Sequence, residues 1–166
     1  MTVTEAITAS GITPSENFAG EIINDDFILA IKTEDTQTDV KNWVVCADHI
    51  SSYAASLNPK TSDNTFMRTG TVSTKTGNQR KFSISGNRVI GDAFQDFCLG
   101  HDIMYGTGSD VVVEYVYFCL RTGKGEKGKA NIIVNNDADG NAGDAAGIKI
   151  DLNVTGKPAA YTYSAA

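Results

Sequence analysis

A glycine- and lysine-rich run at residues 123–130 comes nearer than any other segment to a nucleotide-binding motif. It reads GKGEKGKA. A phosphate-binding loop needs Ser or Thr directly after its Gly-Lys pair, to place a hydroxyl on magnesium, and here that residue is Ala130. The loop must also open a helix whose amides hold the phosphate, whereas the following NIIV is β-branched and predicts a strand. A hairpin turn is therefore favoured over a nucleotide site.

An acidic loop at residues 135–147 begins like an EF-hand. Its twelfth position is Ala146, where calcium binding requires a bidentate Glu. A weak cation contact among Asp137, Asp139 and Asp144 is the alternative to a solvated turn. The turn is favoured, and the sequence predicts no metal site.

The two histidines, His49 and His101, each lie beside an aspartate, and Cys98 precedes His101 by three residues. Catalysis would require a nucleophile and a base to meet in space. The neighbouring apolar residues have helical spacing, which favours a buried helix stripe instead. No set of residues assembles an active site, so the sequence predicts neither an enzyme nor a cofactor.

Composition limits the classes of function. The chain has 166 residues, the length of one domain, and a net charge of −6. An acidic chain without a basic stripe is not typical of nucleic-acid binders. No segment approaches the ~20 apolar residues that span a bilayer, and the first residues do not resemble a signal peptide. Three cysteines without CxxC spacing indicate buried, reduced thiols in a cytoplasmic product.

Hydrophobic patterning predicts a mainly β fold: an antiparallel β-sandwich with one flanking α-helix at about residues 92–105. Asp92 is the expected N-cap and Gly106 the expected C-cap. The predicted strands cover residues 22–33, 43–47, 50–57, 81–85, 111–120, 129–134, 148–154 and 161–163. The predicted organisation is an N-terminal arm or disordered tail (1–20), a single domain (21–163) with a long polar loop or hairpin (56–79), and a tail (164–166). In that loop or hairpin, Phe66, Met67 and Val72 are the few residues expected to form core.

The strand at residues 111–120, VVVEYVYFCL, is apolar on both faces, and Glu114 is its one charged residue. Antiparallel strands usually have one wet face. This strand therefore needs two partners: its own core, and either the chain's helix or another copy of the protein. We expect the second face to be shown to a neighbouring copy.

Residues 81–128 resemble the major tail (tail tube) proteins of long-tailed bacteriophages, particularly those of Gram-positive hosts. The features that carry the resemblance are the strand and turn FSISGNR (82–88), Gly91-Asp92 with Gln95-Asp96 at the helix start, and the strand that ends in Gly123, Gly125, Glu126 and Gly128. The loop 140–143, the strand 148–154 and Gly156-Lys157-Pro158 continue it. The likeness covers about residues 20–163.

The resemblance implies a structural subunit. Six copies would form a ring, and stacked rings would form a hollow tube through which DNA passes during ejection without specific binding. Its partners would be further copies and other tail proteins: the tape measure, the terminator and the baseplate or tip. It would be made in the bacterial cytoplasm and located in the virion tail. The loop 56–79 and the terminal arms would bridge stacked rings, and an acidic wall would repel DNA phosphates.

The expected surface between copies combines the long loop with the two-faced strand. Its predicted residues are Asn58, Lys60, Thr61, Asp63, Asn64, Arg68, Lys75, Glu114, Tyr115 and Tyr117. Two alternatives stay open: a small sandwich that binds carbohydrate or a protein ligand, and a tube subunit of a phage-derived bacteriocin or secretion system.

Overall fold

The fold is built on one antiparallel sheet. The computed structural model describes residues 1–164, and within that range it has a seven-stranded sheet and a separate two-stranded hairpin. The strands are β1 (Phe27–Ile31), β2 (Val44–Val45), β3 (Ile50–Ser56), β4 (Lys60–Phe66), β5 (Gly70–Gly77), β6 (Lys81–Asn87), β7 (Val112–Cys119), β8 (Lys124–Asn136) and β9 (Gly147–Thr162). The helices are α1 (Val3–Ser10), α2 (Ala93–Cys98) and α3 (His101–Tyr105). The predicted mainly β, antiparallel fold with a flanking helical segment is confirmed.

The sheet curls on itself around the long strands β8 and β9. Its order is β2-β1-β7-β8-β9-β6-β3. Although two strands, β8 and β9, separate β6 from β7 in that order, the ring of Phe82 on β6 lies 5.5 Å from that of Tyr115 and 5.0 Å from that of Tyr117 on β7. The two layers of the predicted sandwich are thus opposite parts of a single curled sheet, and the main core lies between them.

The helical segment closes one side of this core. Asp92 caps it as predicted, because its carboxylate accepts a hydrogen bond from the Gln95 amide at 3.1 Å. The segment is divided into α2 and α3, since Gly100 between them has an extended backbone, with ψ at 148°. Gly106 at its end is also extended and lacks the left-handed geometry usual for a glycine at a helix end.

Gln95 connects this segment to the loops around it. Its side chain is fully buried. The amide of Val89 donates to its Oε1 at 2.8 Å, and its Nε2 donates to the carbonyls of Asp48 at 3.2 Å and Asn87 at 3.0 Å. The polar side chain therefore satisfies backbone groups at the end of β6 and in the loop before β3.

The second face of β7 is covered by the chain itself. Val116 and Phe118 belong to a second buried cluster that includes Val3 of α1 and Trp43. The ring of Tyr163 stacks on Phe118 at 5.5 Å. The expectation that a neighbouring copy buries this face is therefore wrong, because segments of the same chain before β1 and after β9 already cover it.

Helix α1 lies where the sequence analysis predicted an arm or a disordered tail. A capping box begins it: the Glu5 amide donates to Thr2 Oγ1 at 3.3 Å, and the Thr2 amide donates to Glu5 Oε2 at 2.7 Å. The hydrogen bond from the Thr2 backbone lowers the pKa of Glu5. Thr2 also bridges to Val44 at the edge of the sheet, so this segment is part of the folded domain. Of the predicted tail 164–166, residues 165 and 166 lie outside the described range.

Candidate assembly interface

The hairpin formed by β4 and β5 (residues 60–77) extends from the body of the protein. Its strands pair with each other in their own two-stranded sheet, and every residue from 57 to 79 is exposed. An isolated two-stranded hairpin is marginally stable in water. The hairpin therefore gains little stability from burial within its own chain.

Local chemistry explains how the polar hairpin forms. Its threonines favour extended backbone, and the hydroxyls of Thr65 and Thr71 lie 3.1 Å apart across the two strands. At the tip, Phe66 pairs with Gly70. Arg68 in the turn has a positive φ of 66° and Gly70 one of 81°, which reverse the chain within three residues.

The base of the hairpin is held by the sheet. The amide of Gln79 donates to the Leu57 carbonyl at 2.9 Å. Directly after it, Arg80 pairs with Glu126, with Nε and Oε1 2.5 Å apart, and its guanidinium lies over the ring of Tyr117 at 5.1 Å. These contacts fix where the hairpin leaves the body.

Most of the predicted interface residues lie on this hairpin. All of the following are exposed: Asn58, Lys60, Thr61, Asp63, Asn64, Arg68 and Lys75. Their role in assembly stays a prediction. Phe66, Met67 and Val72, expected as core, are exposed as well, and that expectation is wrong because neither face of this two-stranded sheet packs on the core. The sequence signal for an exposed apolar tip was present: two large apolar residues beside a turn in a polar stretch.

The remaining three predicted interface residues, all on β7, lie in two different environments. Glu114 is partly exposed and its Oε2 lies 3.4 Å from Lys32 Nζ. Tyr115 and Tyr117 are 0% and 8% exposed and point into the curled sheet against Phe82. Burial raises the pKa of both phenols. Their assignment to an interface is wrong, because their side of β7 is the inner face of the chain's own sheet.

The residues considered for nucleophilic chemistry are not arranged for it. Cys98 is fully buried, whereas His101 is exposed and packs on Tyr105, with ring centroids 4.9 Å apart. Burial raises the pKa values of Cys98 and Cys46, which holds both thiols in the protonated, weakly nucleophilic form.

The nucleotide- and calcium-like segments have structural roles. The glycine- and lysine-rich run forms the first half of β8, so it opens no helix. In the acidic loop, Asp139 accepts from Asn136 at 3.0 Å and Asp144 accepts from the Asn141 amide at 3.3 Å. Among residues 1–164, no three His, Cys, Asp or Glu side chains are grouped to hold a metal ion. No helix in the same range is long and apolar enough to cross a membrane.

Comparison with known proteins finds similarity in structure. No protein-family model and no curated protein matches the sequence. The tail of an empty gene transfer agent (GTA) particle with C6 symmetry matches at a TM-score of 0.56 and 17% identity, over 86% of this chain and 100% of that one. The chain shares the fold of this tail protein. A chain of the native GTA virion shares this fold, at a TM-score of 0.52 and 17% identity over 87% of this chain and 100% of that one. So does a chain of the anti-feeding prophage cap, a tube terminating cap, at a TM-score of 0.53 and 11% identity over 90% of this chain and 96% of that one.

Proposed function

We propose that this chain is the structural subunit of a phage tail tube. Copies assemble into rings of six, and the rings stack into a hollow conduit for DNA. The fold shared with a C6-symmetric tail supports the ring. The observation that carries the proposal is the hairpin, whose 18 residues (60–77) are all exposed to solvent in the single chain.

The hairpin supports stacking on energetic grounds. Ordering the backbone costs roughly 1–2 kcal/mol per residue, and a hairpin with two wet faces recovers little of this cost by burial. In a stack, a copy in the next ring would cover one face and supply the missing burial. The hairpin would thus be stabilised by assembly, and it would in turn connect the rings.

The edges of the sheet support association within a ring. The edge at β2 is partly covered, because Thr2 bridges to Val44 and the Val45 amide donates to the Met1 carbonyl at 3.0 Å. The opposite edge strand, β3, pairs on one side only, with β6. The chain also contacts this strand through Asn24, whose side-chain amide donates to the Tyr53 carbonyl at 3.1 Å. An edge strand that pairs on one side offers its remaining backbone donors and acceptors to another chain. We assign β3 to the contact between neighbours in a ring.

The charge balance supports passage of DNA. A net charge of −6 disfavours binding to phosphates. The proposed tube lumen is therefore a surface that DNA passes without adhering to it. On this proposal the working location is the virion tail, and the partners are further copies and the tail proteins at the two ends of the tube.

Deletion of the hairpin tests the proposal. Removing residues 61–77 and closing the gap with an Asn-Gly turn should leave a folded monomer that forms no tubes, because the core contains no residue of that segment. Size-exclusion chromatography and negative-stain microscopy report assembly, and circular dichroism reports folding. Tubes formed by the deletion variant would refute the stacking role.

A tube-terminating role is the second candidate, because one structural neighbour is a tube terminating cap from a phage-derived particle. A tube subunit elongates into long tubes, whereas a cap would stop at a closed ring. Microscopy of the purified, concentrated protein distinguishes the two. A protein that stays monomeric at every concentration would favour a small binding module instead.

A further inference from the structure

The tip of the hairpin carries an unpaired apolar surface. Phe66 is 55% exposed and Met67 is 92% exposed. Arg68 follows them in the turn. Methionine and aromatic side chains are enriched in the cores of protein interfaces, and so is arginine. The tip therefore has the composition of an anchor for another protein surface.

A groove on the body of the same chain has the complementary composition. Its volume is about 610 Å³, within the usual range for a binding cleft. It lies between the helical segment, the start of β7 and the loop after β1. Its apolar floor includes Phe97, Ile103 and Val113, which are partly buried and pack against the main core.

The rim of the groove is acidic. The charged groups that line it are Lys32, Glu34, Asp35, Asp110, Glu114 and Lys129. Four of these are acidic and two are basic, so the rim has a net charge of −2. The hairpin contains three basic residues and one acidic residue, a net charge of +2, which leaves −8 on the rest of the chain. The hairpin is thus a basic segment of an acidic protein.

We propose that the hairpin tip of one copy occupies this groove on a copy in the adjoining ring, an inference that rests on the proposed stacking of rings. Phe66 and Met67 contact the apolar floor, and Arg68 faces the acidic rim. A second copy is the occupant because tip and groove match in both polarity and charge, whereas a DNA backbone offers no apolar surface to Met67. The tip does not occupy the groove of its own chain, since it is exposed there.

Site-directed cross-linking tests this contact. The three native cysteines are buried, so introduced thiols should react selectively. Met67→Cys places a thiol at the tip, and Ser109→Cys places one on the groove. The two single variants are mixed, one with a tag that changes its mass, assembled, and treated with a mild copper–phenanthroline oxidant. We expect a disulfide-linked heterodimer on a non-reducing gel.

The control pairs Met67→Cys with Asn141→Cys, a position that is also exposed but lies in the acidic loop and does not line the groove. The groove assignment would be overturned if tubes form but Met67→Cys gives no disulfide with Ser109→Cys, or gives as much disulfide with Asn141→Cys. Either result would leave the proposed function standing. A wild-type protein that forms no tubes overturns both. If Met67→Cys prevents assembly, Thr69→Cys in the same turn replaces it.

Removal of the apolar tip provides an independent measurement. In the double variant Phe66→Ser, Met67→Ser, we expect the critical concentration for tube formation to rise at least about tenfold, since each side chain loses its burial in the groove. The matched control is Thr65→Ser, a change at the exposed residue that precedes Phe66 on β4. A critical concentration within about twofold of wild type for the double variant would contradict the proposal.

Discussion

Val3→Ala tests whether the chain covers both faces of β7 by itself. Val3 is 0% exposed and belongs to the same buried cluster as Val116 and Phe118. Loss of two methyl groups costs about 1.6 kcal/mol at ~0.8 kcal/mol per carbon. The residual cavity adds about 1 kcal/mol, and the higher helix propensity of Ala returns about 0.5 kcal/mol. We expect the free energy of unfolding to fall by about 2 kcal/mol.

The assay is urea unfolding of the full chain at a concentration where chromatography shows only monomer. Trp43 is the sole tryptophan, it is buried, and its carbonyl accepts from the Val3 amide at 3.1 Å, so its fluorescence reports on this cluster. Val72→Ala is the matched control, because Val72 is exposed and the same change there should alter stability by less than about 0.5 kcal/mol. Equal effects of the two substitutions would refute the burial of Val3 in the cluster that contains Val116 and Phe118.

Three further outcomes follow from individual contacts. Gln95→Leu should lower the free energy of unfolding by about 3 kcal/mol in urea titrations, because it removes three hydrogen bonds to the backbone of Val89, Asp48 and Asn87, each worth about 1 kcal/mol; a loss below about 1 kcal/mol would contradict this role. Gly125→Ala should prevent accumulation of folded protein, measured by circular dichroism, because a Cβ there would overlap the Tyr117 carbonyl on β7; a native spectrum and melting temperature would count against the strand register. Glu114→Lys should reduce tube yield in micrographs and change monomer stability by less than about 1 kcal/mol, because the ion pair with Lys32 is solvent-accessible; normal tube yield would be the opposing result.

Local sequence patterns predicted the strands and helices better than they predicted which segments pack against them. The strands predicted at residues 50–57 and 111–120 match β3 and β7 to within one residue at each end, and Asp92 marked the start of the helical segment. Helix α1 was missed although its signal was present: Thr2 and Glu5 have capping-box spacing, and Ala6 and Ile7 follow Val3 at helical spacing. Helices this short depend on tertiary packing, and no local pattern shows that packing.

The predicted exposure of the hairpin residues is confirmed, whereas their role in assembly stays a prediction, and Tyr115 and Tyr117 on β7 are buried in the chain's own sheet. A long polar segment with few apolar residues indicates exposure directly, so its residues were placed correctly on the surface. The two apolar faces of β7 indicate burial but do not identify what covers them. The covering residues, Val3 and Tyr163, are more than 40 residues away in sequence, and their contacts depend on how the sheet curls.

Because the chain itself buries both faces of β7, contacts between copies must form at other surfaces than the sequence analysis expected. If a neighbouring copy had to bury that face, the isolated chain would expose a core strand and would associate without order. Because α1 and the end of β9 cover it, the monomer hides its large apolar clusters and leaves the hairpin tip and the edge of β3 for other copies. Contacts of that kind are weak individually and become strong when many are made at once. On the proposed function, a subunit built in this way would remain dispersed at low concentration and would add to a growing end, where several contacts form together.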